Sequence, residues 1–197
     1  GCLGAPFVLA DLKKRNINFS ACIIGEPTSM KAITAHKGYN EYITYFTGLS
    51  GHASNPENGV SAIEYAIRYS NKLIELRDEL KKRNSKKTSF SPSYSTLQIG
   101  KISGGIGANV IPDQCSLEWE VRPINKDDGD FVSKNIDSFA KDILLPEMKK
   151  NNPKGNIKKE IIGEVVGFNK EETSEAVNLV CNITGDNAKN TMSFGTE

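Results

Sequence analysis

The sequence is short of three things: net charge, cysteine and long hydrophobic runs. Lys and Arg number 25 against 24 Asp and Glu, so the charge balance gives no reason to expect nucleic acid or an anionic membrane as a partner. No apolar run reaches the ~20 residues of a transmembrane helix, and the N-terminal residues lack the basic stretch and apolar core of a signal peptide. We therefore expect a cytoplasmic protein with no nucleic-acid and no membrane partner.

Cysteine and histidine are too few and too scattered to indicate a metal site by themselves. The four cysteines form no Cys-x-x-Cys pair and indicate buried thiols in a reducing compartment. They are Cys2, Cys22, Cys115 and Cys181. The two histidines are His36, which we expect to be structural, and His52. A catalytic zinc ion usually has three protein ligands, so two histidines in different local settings do not predict one.

Both ends of the chain have the pattern of an α/β layer. Residues 6–16 predict a short helix, and the apolar run 21–24, which ends at a glycine, predicts a buried parallel strand. From Glu171 onwards an apolar stripe again predicts a helix. We therefore assign residues 1–30 and 164–197 to two pieces of a larger α/β catalytic domain.

The middle of the chain, residues 31–163, alternates between strand and helix patterns. A stretch of β-branched and aromatic residues, an amphipathic helix, two alternating strands, a second amphipathic helix and a last strand follow one another. Their predicted positions are 32–47, 60–82, 94–103, 114–122, a helix from Asp127 that Pro146 should kink or end, and 156–166. The order β-α-β-β-α-β predicts a ferredoxin-like α+β sandwich inserted between the two α/β pieces.

Two polar side chains stand where proteins place reactive groups. Glu26 directly follows the predicted strand 21–24, at the strand end where open α/β sheets bind ligands, and Pro27 restricts its backbone. A carboxylate held in this way can bind zinc, whereas a glutamate in a turn is commonly just solvated. His52 lies in a glycine-containing loop before a helix, where an imidazole can donate a hydrogen bond to a substrate oxyanion.

Asn109 and Arg122 are two further candidates, each with an ordinary structural alternative. Asn109 follows a glycine-rich turn, where its amide can contact substrate or satisfy its own backbone. Arg122 lies on the polar face of its predicted strand, where its guanidinium can clamp a carboxylate or pair with Glu118 or Glu120. From the residues alone, both alternatives stay open.

Four short motifs, in this order and spacing, resemble the zinc-dependent amidohydrolase family of acetylornithine deacetylase and succinyl-diaminopimelate desuccinylase. They are Gly25-Glu26-Pro27-Thr28, Gly51-His52-Ala53-Ser54, Asn109-Val110-Ile111-Pro112 after Gly104-Gly105, and Val121-Arg122-Pro123. The resemblance covers nearly the whole chain and looks closest to the acetylornithine deacetylase branch. It implies that the middle domain is a lid through which two identical subunits pair.

The resemblance also implies roles for the candidate residues. In the family, the glutamate that matches Glu26 binds one of two zinc ions. The lid histidine that matches His52 reaches into the partner subunit's active site and stabilises the tetrahedral intermediate. Asn109 and Arg122 match side chains that hold the N-acyl amino acid substrate. Glu197, at the end of Phe-Gly-Thr-Glu, matches a catalytic-domain segment that helps to set specificity.

The family's remaining zinc ligands and its general-base glutamate have no counterpart at a fitting place in the sequence. We therefore expect a fragment that keeps one ligand of a two-zinc site and does not hydrolyse amides by itself. For the intact enzyme, the expected reaction is the deacetylation of N-acetylornithine in arginine biosynthesis. Two other functions stay open, a non-catalytic dimerisation module that pairs through an open sheet edge and a regulatory domain that binds an amino acid.

Overall fold

The computed structural model describes residues 3–83, 88–168, 170, 174–185 and 190–193. Its helices are α1 (Ala5–Lys14), α2 (Ala62–Lys82), α3 (Lys126–Phe139), α4 (Leu145–Asn151) and α5 (Glu175–Thr184). Its strands are β1 (Ile33–His36), β2 (Tyr39–Thr47), β3 (Gly51–His52), β4 (Thr96–Gly104), β5 (Val110–Ile111), β6 (Gln114–Arg122), β7 (Asn156–Val165) and β8 (Asn190–Met192). A short 3₁₀ turn spans Pro56–Asn58, and a π-helical segment, Ala140–Leu144, joins α3 to α4.

Four antiparallel strands form the central sheet in the order β4-β6-β2-β7. α2 packs on β4 and β6, and α4 packs on β7, so that helices cover one face of the sheet. The chain order β2-α2-β4-β6-α3-β7 confirms the ferredoxin-like sandwich predicted from the sequence. The domain boundaries at 31 and 163 stay a prediction, and the sheet itself runs from Tyr39 to Val165.

The amphipathic pattern of α2 explains how this helix binds the sheet. The helix begins at Ser61, whose side-chain oxygen accepts a hydrogen bond from the Glu64 N–H at 3.3 Å. Spacings of three and four residues return side chains to one helix face, and that face is buried. The buried residues are Ala62, Ala66, Tyr69, Leu73, Leu76 and Leu80. Arg68, on another face, pairs with Glu147 of α4 at 2.5 Å and ties the two helices together.

A small polar network lies inside the hydrophobic core. The indole N–H of Trp119 donates to Thr44 Oγ1 at 3.0 Å, and that hydroxyl donates to the Tyr69 OH at 3.4 Å. The Tyr42 ring lies against the indole, with 4.4 Å between the ring centroids. Buried polar groups destabilise a fold unless they find partners, so this network fixes how β2, β6 and α2 fit together.

Residues 32–47, predicted as one strand, form two strands in two different sheets. β1 ends at His36 and pairs in parallel with β8, whereas β2 begins at Tyr39 in the central sheet. The sequence shows one continuous run of β-branched and aromatic residues. Such a run favours strand but does not specify a partner, so the change of sheet could not be predicted from it.

Lys37 and Gly38, the two residues between β1 and β2, are tightly packed. The ammonium of the fully buried Lys37 donates to the carbonyl oxygens of Pro92 and Tyr94, both at 2.8 Å. Burial lowers the pKa of this ammonium, and the two carbonyl oxygens offset part of the desolvation cost. The central sheet and its helices, residues 39–165, form a module that the chain enters at Gly38 and leaves after Val165. A Cβ at Gly38 would lie 2.9 Å from the carbonyl oxygen of Val165, so the two ends of the module can approach this closely only at a glycine.

The buried parallel strand predicted at 21–24 is wrong. The segment has no regular secondary structure, and Ile23 and Ile24 are 55% and 65% exposed. A strand of a parallel sheet needs neighbours, and no described part of the chain pairs with this one. Glu26 therefore does not follow a strand, as predicted, but lies in an irregular segment seven residues before β1 begins at Ile33.

The helix expected to kink or end at Pro146 continues through it. α3 begins after Asn125, whose side chain accepts a hydrogen bond from the Asp128 N–H at 2.9 Å. The π-helical segment then leads into α4, and Pro146 falls in the first turn of α4. The wider π turn offers a place for a proline, which has no N–H to donate. No helix in the described ranges is long and apolar enough to span a membrane.

At the C-terminal end, α5 is the described part of the helix predicted from Glu171. It begins at Glu175, and the side chain of Ser174 accepts a hydrogen bond from its first turn. It ends at Gly185, whose φ of 71° is the left-handed conformation that favours glycine. Glu171 itself lies outside the described residues.

Candidate functional site

His52 and Asn109 meet at one end of the central sheet. β3 pairs with β5, which sets His52 opposite Val110. The N–H of Ala53 then donates to the carbonyl oxygen of Asn109 at 2.9 Å. Two-residue strands carry no recognisable hydrophobic period, so this ladder could not be predicted from the sequence. It brings together two of the four predicted site residues.

The hydrogen bonds of His52 determine which ring nitrogen can act on a ligand. Its exposed ring accepts a hydrogen bond at Nδ1 from the backbone N–H of Ser54 at 3.2 Å, and the Ser54 hydroxyl lies 2.7 Å from the same nitrogen. A backbone N–H can only donate, so Nδ1 is the acceptor and the neutral imidazole carries its proton on Nε2. The ring therefore presents an N–H donor to its surroundings.

The loop that carries His52 folds back tightly on the start of α2. Leu49 and Val60 exchange two backbone hydrogen bonds, both of 2.9 Å. Gly48 is required at this crossing because a Cβ there would lie 1.9 Å from the carbonyl oxygen of Val60. The loop is therefore held to the module at both ends, which limits where the His52 ring can point.

Arg122 is held by an aromatic ring and a carboxylate. Its guanidinium lies over the Tyr39 ring, 4.4 Å from the centroid, and Nη2 donates to Glu120 Oε2 at 2.7 Å. The ion pair with a glutamate on the same strand face, one of the two alternatives for this residue, is thus present in the structure. A guanidinium has five N–H groups, so this pairing leaves donors for a ligand carboxylate.

Arg122 and His52 lie at opposite ends of the sheet. In the ladder between β4 and β6, Thr96 pairs with Arg122, whereas Gly104 pairs with Cys115 at the end near the His52 loop. The eight residue steps of β6 correspond to ~26 Å at about 3.3 Å per residue. One chain alone therefore does not bring Arg122 together with His52 and Asn109.

Glu26 and His36 line a common cavity of about 430 Å³. The irregular segment around Glu26 forms one wall, and Phe168 and α5 residues such as Val177 form another. The cavity lies on the same side of the module as Arg122, because β1 ends at His36 and the Gly38 N–H donates to the residue after Arg122 at 2.8 Å. The structure therefore pairs the His52 loop with the Asn109 loop, and it places Glu26 on the side of the module where Arg122 lies, although Arg122 does not line the cavity.

His36 is oriented towards this cavity by its own backbone. Its Nδ1 donates to the carbonyl oxygen of Lys37 at 2.9 Å, so the lone pair of the neutral ring is on Nε2. Its ring also stacks on Phe168, with 6.0 Å between the centroids. A structural role for His36 stays a prediction, and no feature of the sequence indicated that it would share a cavity with Glu26.

The described residues do not form a metal site. No group of three or more His, Cys, Asp or Glu side chains within the described ranges could hold a metal ion. Glu26 can contribute a single carboxylate to the ions that the resemblance implies. Glu197, the remaining residue of the resemblance, lies outside the described ranges.

Comparison with curated proteins gives matches to acetylornithine deacetylases. The chain is 35% identical to the enzyme of Proteus mirabilis over 89% of this chain and 43% of that protein. It is 31% identical to the enzyme of Myxococcus xanthus over 89% of this chain and 44% of that protein. Over a shorter stretch, 52% of this chain, it is 44% identical to the enzyme of Edwardsiella ictaluri. The chain thus spans less than half the length of these relatives.

Comparison with solved structures supports the fold. A tripeptidase from Staphylococcus aureus matches 84% of this chain with 40% of its own, at a TM-score of 0.60 and 20% identity. Aminopeptidase PepT from Bacillus cereus matches equally well at 19% identity. At identities this low, these two matches support the fold and nothing further.

A family model also matches the chain. It is the model of the peptidase dimerisation domain, and it matches residues 34–148, more than half of the sequence. The matched segment holds α2, β4 and the paired loops of His52 and Asn109. The chain therefore belongs to the family of peptidase dimerisation domains.

Proposed function

We propose that the chain is the lid domain, with flanking catalytic-domain segments, of a zinc-dependent amidohydrolase that removes the acetyl group from N-acetylornithine. The substrate is supported by the 31% to 44% identity to acetylornithine deacetylases and by the four motifs of the resemblance. A cytoplasmic location and a role in arginine biosynthesis stay predictions for the intact protein.

One observation carries the chemical part of the proposal: the exposed His52 ring presents an Nε2–H donor. Attack on an amide carbon places negative charge on the carbonyl oxygen, and a pre-oriented donor stabilises that charge. Asn109 lies on the paired loop, where its amide could contact the same substrate. Removing one such donor commonly lowers kcat by about 10²- to 10³-fold.

The separation within the sheet implies that two subunits share each site. Glu26 and Arg122 lie at one end of the module and His52 at the other, and β6, which runs between these ends, is ~26 Å long. His52 of one subunit would therefore serve the cavity of its partner. Arg122, on the same side of the module as that cavity but not among the residues that line it, would hold the substrate carboxylate while Tyr39 keeps the guanidinium plane in place.

Glu26 would supply one zinc ligand of the intact enzyme. Its carboxylate lines the cavity of about 430 Å³, a size within the range of small-molecule sites. The other ligands and the general base would come from the remainder of the longer protein. When bound, zinc would polarise the substrate carbonyl and activate water.

A second candidate function is a dimerisation module without catalysis. The family match to the peptidase dimerisation domain favours it, because that match covers most of the module and leaves out Glu26. Under this alternative, the chain forms dimers but neither His52 nor Arg122 affects a reaction.

Subunit complementation in the intact protein tests the first candidate. His52→Ala and Glu26→Ala variants should each be inactive towards N-acetylornithine. A mixed dimer would contain one complete site, because Glu26 of the first variant would meet His52 of the second. A randomly mixed population should therefore recover about a quarter of the wild-type activity. Activity no higher than that of the separate variants would contradict the shared site.

The 197-residue chain provides a second test. With added zinc or cobalt it should not hydrolyse N-acetylornithine, since it holds a single ligand of the proposed site. Turnover above a control without protein would contradict the prediction that the chain is inactive by itself. Calorimetric binding of ornithine by the chain alone would favour the regulatory domain instead.

A further inference from the structure

A polar cluster lies beside the turn that follows Arg122. This Asp128 cluster consists of Arg83, Ser95 and Asp128. Asp128 is 5% exposed and Ser95 is 1% exposed. The Ser95 hydroxyl donates to Asp128 Oδ2, and Arg83 Nε donates to Asp128 Oδ1 at 2.9 Å. Three elements that are far apart in the sequence thus meet at one carboxylate: the end of α2, the start of β4 and the first turn of α3.

The hydroxyl of Ser95 connects this cluster to the backbone after Arg122. The backbone N–H of Ile124 donates to Ser95 Oγ at 2.9 Å. An ionised carboxylate can only accept and a backbone N–H can only donate, so the hydroxyl hydrogen points to Asp128 and an oxygen lone pair points to Ile124. Both hydrogen bonds of Ser95 therefore have a fixed direction, and Asp128 orients the group that holds Ile124.

Arg122 stands where the support of the sheet ends on one side. It is the last residue of β6, and the ladder between β2 and β6 stops one residue earlier, at Val121. On the other side, Arg122 pairs with Thr96, the first residue of β4. Two hydrogen bonds then hold the backbone that follows, one accepted from the Gly38 N–H at 2.8 Å and one donated to Ser95. The path of the chain after Arg122 therefore depends on the Asp128 cluster.

A role in starting α3 does not account for the cluster. Asn125 caps that helix, because its side-chain oxygen accepts a hydrogen bond from the Asp128 N–H at 2.9 Å. The acid of a capping box reaches back to the capping residue, whereas both carboxylate oxygens of Asp128 accept from groups outside α3. Burying a carboxylate costs free energy that its partners offset only in part, so the cluster is weak evidence for stability. The geometry that it fixes beside Arg122 explains it better.

We propose that Ser95 and Asp128 are positioning residues for the recognition of a carboxylate by Arg122. They hold the backbone after Arg122, while Tyr39 and Glu120 hold its guanidinium. The N–H donors that Glu120 leaves then face the carboxylate of an N-acyl amino acid in one fixed direction, as bidentate binding requires. Ser95 and Asp128 are buried, so they act on the substrate only through Arg122. This inference rests on the proposed function, in which Arg122 binds that carboxylate.

Kinetics of the intact protein with two substrates test the inference. The substrates are N-acetylornithine and its α-amide, which lacks the carboxylate. Ser95→Ala removes the hydroxyl that holds the backbone, and Asp128→Asn removes the charge that orients this hydroxyl. Glu147→Gln is the matched control, because it also removes a carboxylate that pairs with an arginine, in this case Arg68. Thermal melts followed by circular dichroism check that all three variants fold.

The expected effect is on KM and only for the substrate with a carboxylate. For N-acetylornithine, KM of Ser95→Ala and of Asp128→Asn should rise about 10- to 100-fold, since a misplaced positioning group costs up to about 100-fold. Their kcat should change less than about threefold, because the carboxylate is bound equally in the ground state and in the transition state. For the α-amide, kcat/KM should stay within about threefold of wild type, which a general loss of structure would not allow. Glu147→Gln should leave KM for both substrates unchanged.

NMR of the 197-residue chain measures the position of Arg122 without any substrate. The guanidinium lies 4.4 Å from the centroid of the Tyr39 ring, so the ring current shifts the Arg122 side-chain signals upfield. Tyr39→Leu gives the position of these signals without the ring. Ser95→Ala should move the Arg122 signals towards that position, whereas Glu147→Gln should leave them where they are in wild type.

Three results would overturn the inference. They are an equal loss of kcat/KM for both substrates, an unchanged KM for N-acetylornithine, and Arg122 signals in Ser95→Ala that coincide with those of wild type. The NMR measurement also separates this inference from the proposed function. A wild-type intact protein that does not hydrolyse N-acetylornithine contradicts the proposed function, whereas the Arg122 signals still decide whether Ser95 positions Arg122.

Discussion

Replacement of Thr44 by valine is expected to destabilise the fold through two hydrogen bonds. Valine has the shape of threonine but no hydroxyl, so it would leave the Trp119 N–H and the Tyr69 OH without the Oγ1 partner they now have at 3.0 and 3.4 Å. Thr44 is 0% exposed and Trp119 is 2% exposed, so water does not replace the lost contact. An orphaned buried donor costs about 1–3 kcal/mol.

The free energy of unfolding of Thr44→Val should therefore fall by about 2 kcal/mol, or about 4–8 °C in Tm for a chain of this size. Thr44→Ser is the control, since it keeps Oγ1 and loses one methyl group, worth about 0.8 kcal/mol. Trp119 is the single tryptophan, so urea unfolding can be followed by its fluorescence. A valine variant as stable as wild type would refute the role of the network, and so would a serine variant that is the less stable of the two.

Three further predictions concern the helix cap, the His52 loop and an ion pair. Ser61→Ala removes the cap of α2 and should cost about 1 kcal/mol in thermal unfolding, whereas no loss would contradict the cap. Gly48→Ala places a Cβ 1.9 Å from a backbone oxygen, so the loop should open and the Ala53 amide should exchange fast in NMR; retained protection would count against the tight crossing. Arg68 holds the pKa of Glu147 below its usual 4.5, so the pair stabilises the fold above that pH and this contribution is lost as pH falls through the lowered pKa. Arg68→Ala should therefore lower Tm at neutral pH more than near about pH 3, and an equal loss at both would show that the charge pair is not the cause.

The sandwich could be predicted because its elements carry strong local patterns. In β6, alternate residues such as Leu117, Trp119 and Val121 are buried, as the sequence indicated. In α2, an apolar stripe predicted the helix bounds to within two residues, although it did not identify the Ser61 cap. Where the pattern of each element agrees with the fold as a whole, sequence reasoning succeeds.

The errors fall where distant parts of the chain decide the structure. The apolar run at 21–24 has the composition of a buried strand, but no described segment pairs with it. The meeting of His52 with Asn109 depends on a ladder of two residues per strand, too short for any period. The position of Glu26 in the same cavity as His36 likewise depends on contacts between segments far apart in sequence. Local propensity contains no information on such contacts.

The direction of β4 makes the shared site depend on a partner subunit. The Gly104 end of this strand lies near the His52 loop, and its Thr96 end pairs with Arg122. A two-fold axis can bring the first end of one subunit beside the second end of its partner. His52 of each subunit would then stand on the side where the other subunit holds Arg122 and Glu26. Dilution of the intact protein until it is monomeric should therefore lower kcat about as much as removing His52. An intact protein that is monomeric but fully active would refute the shared site.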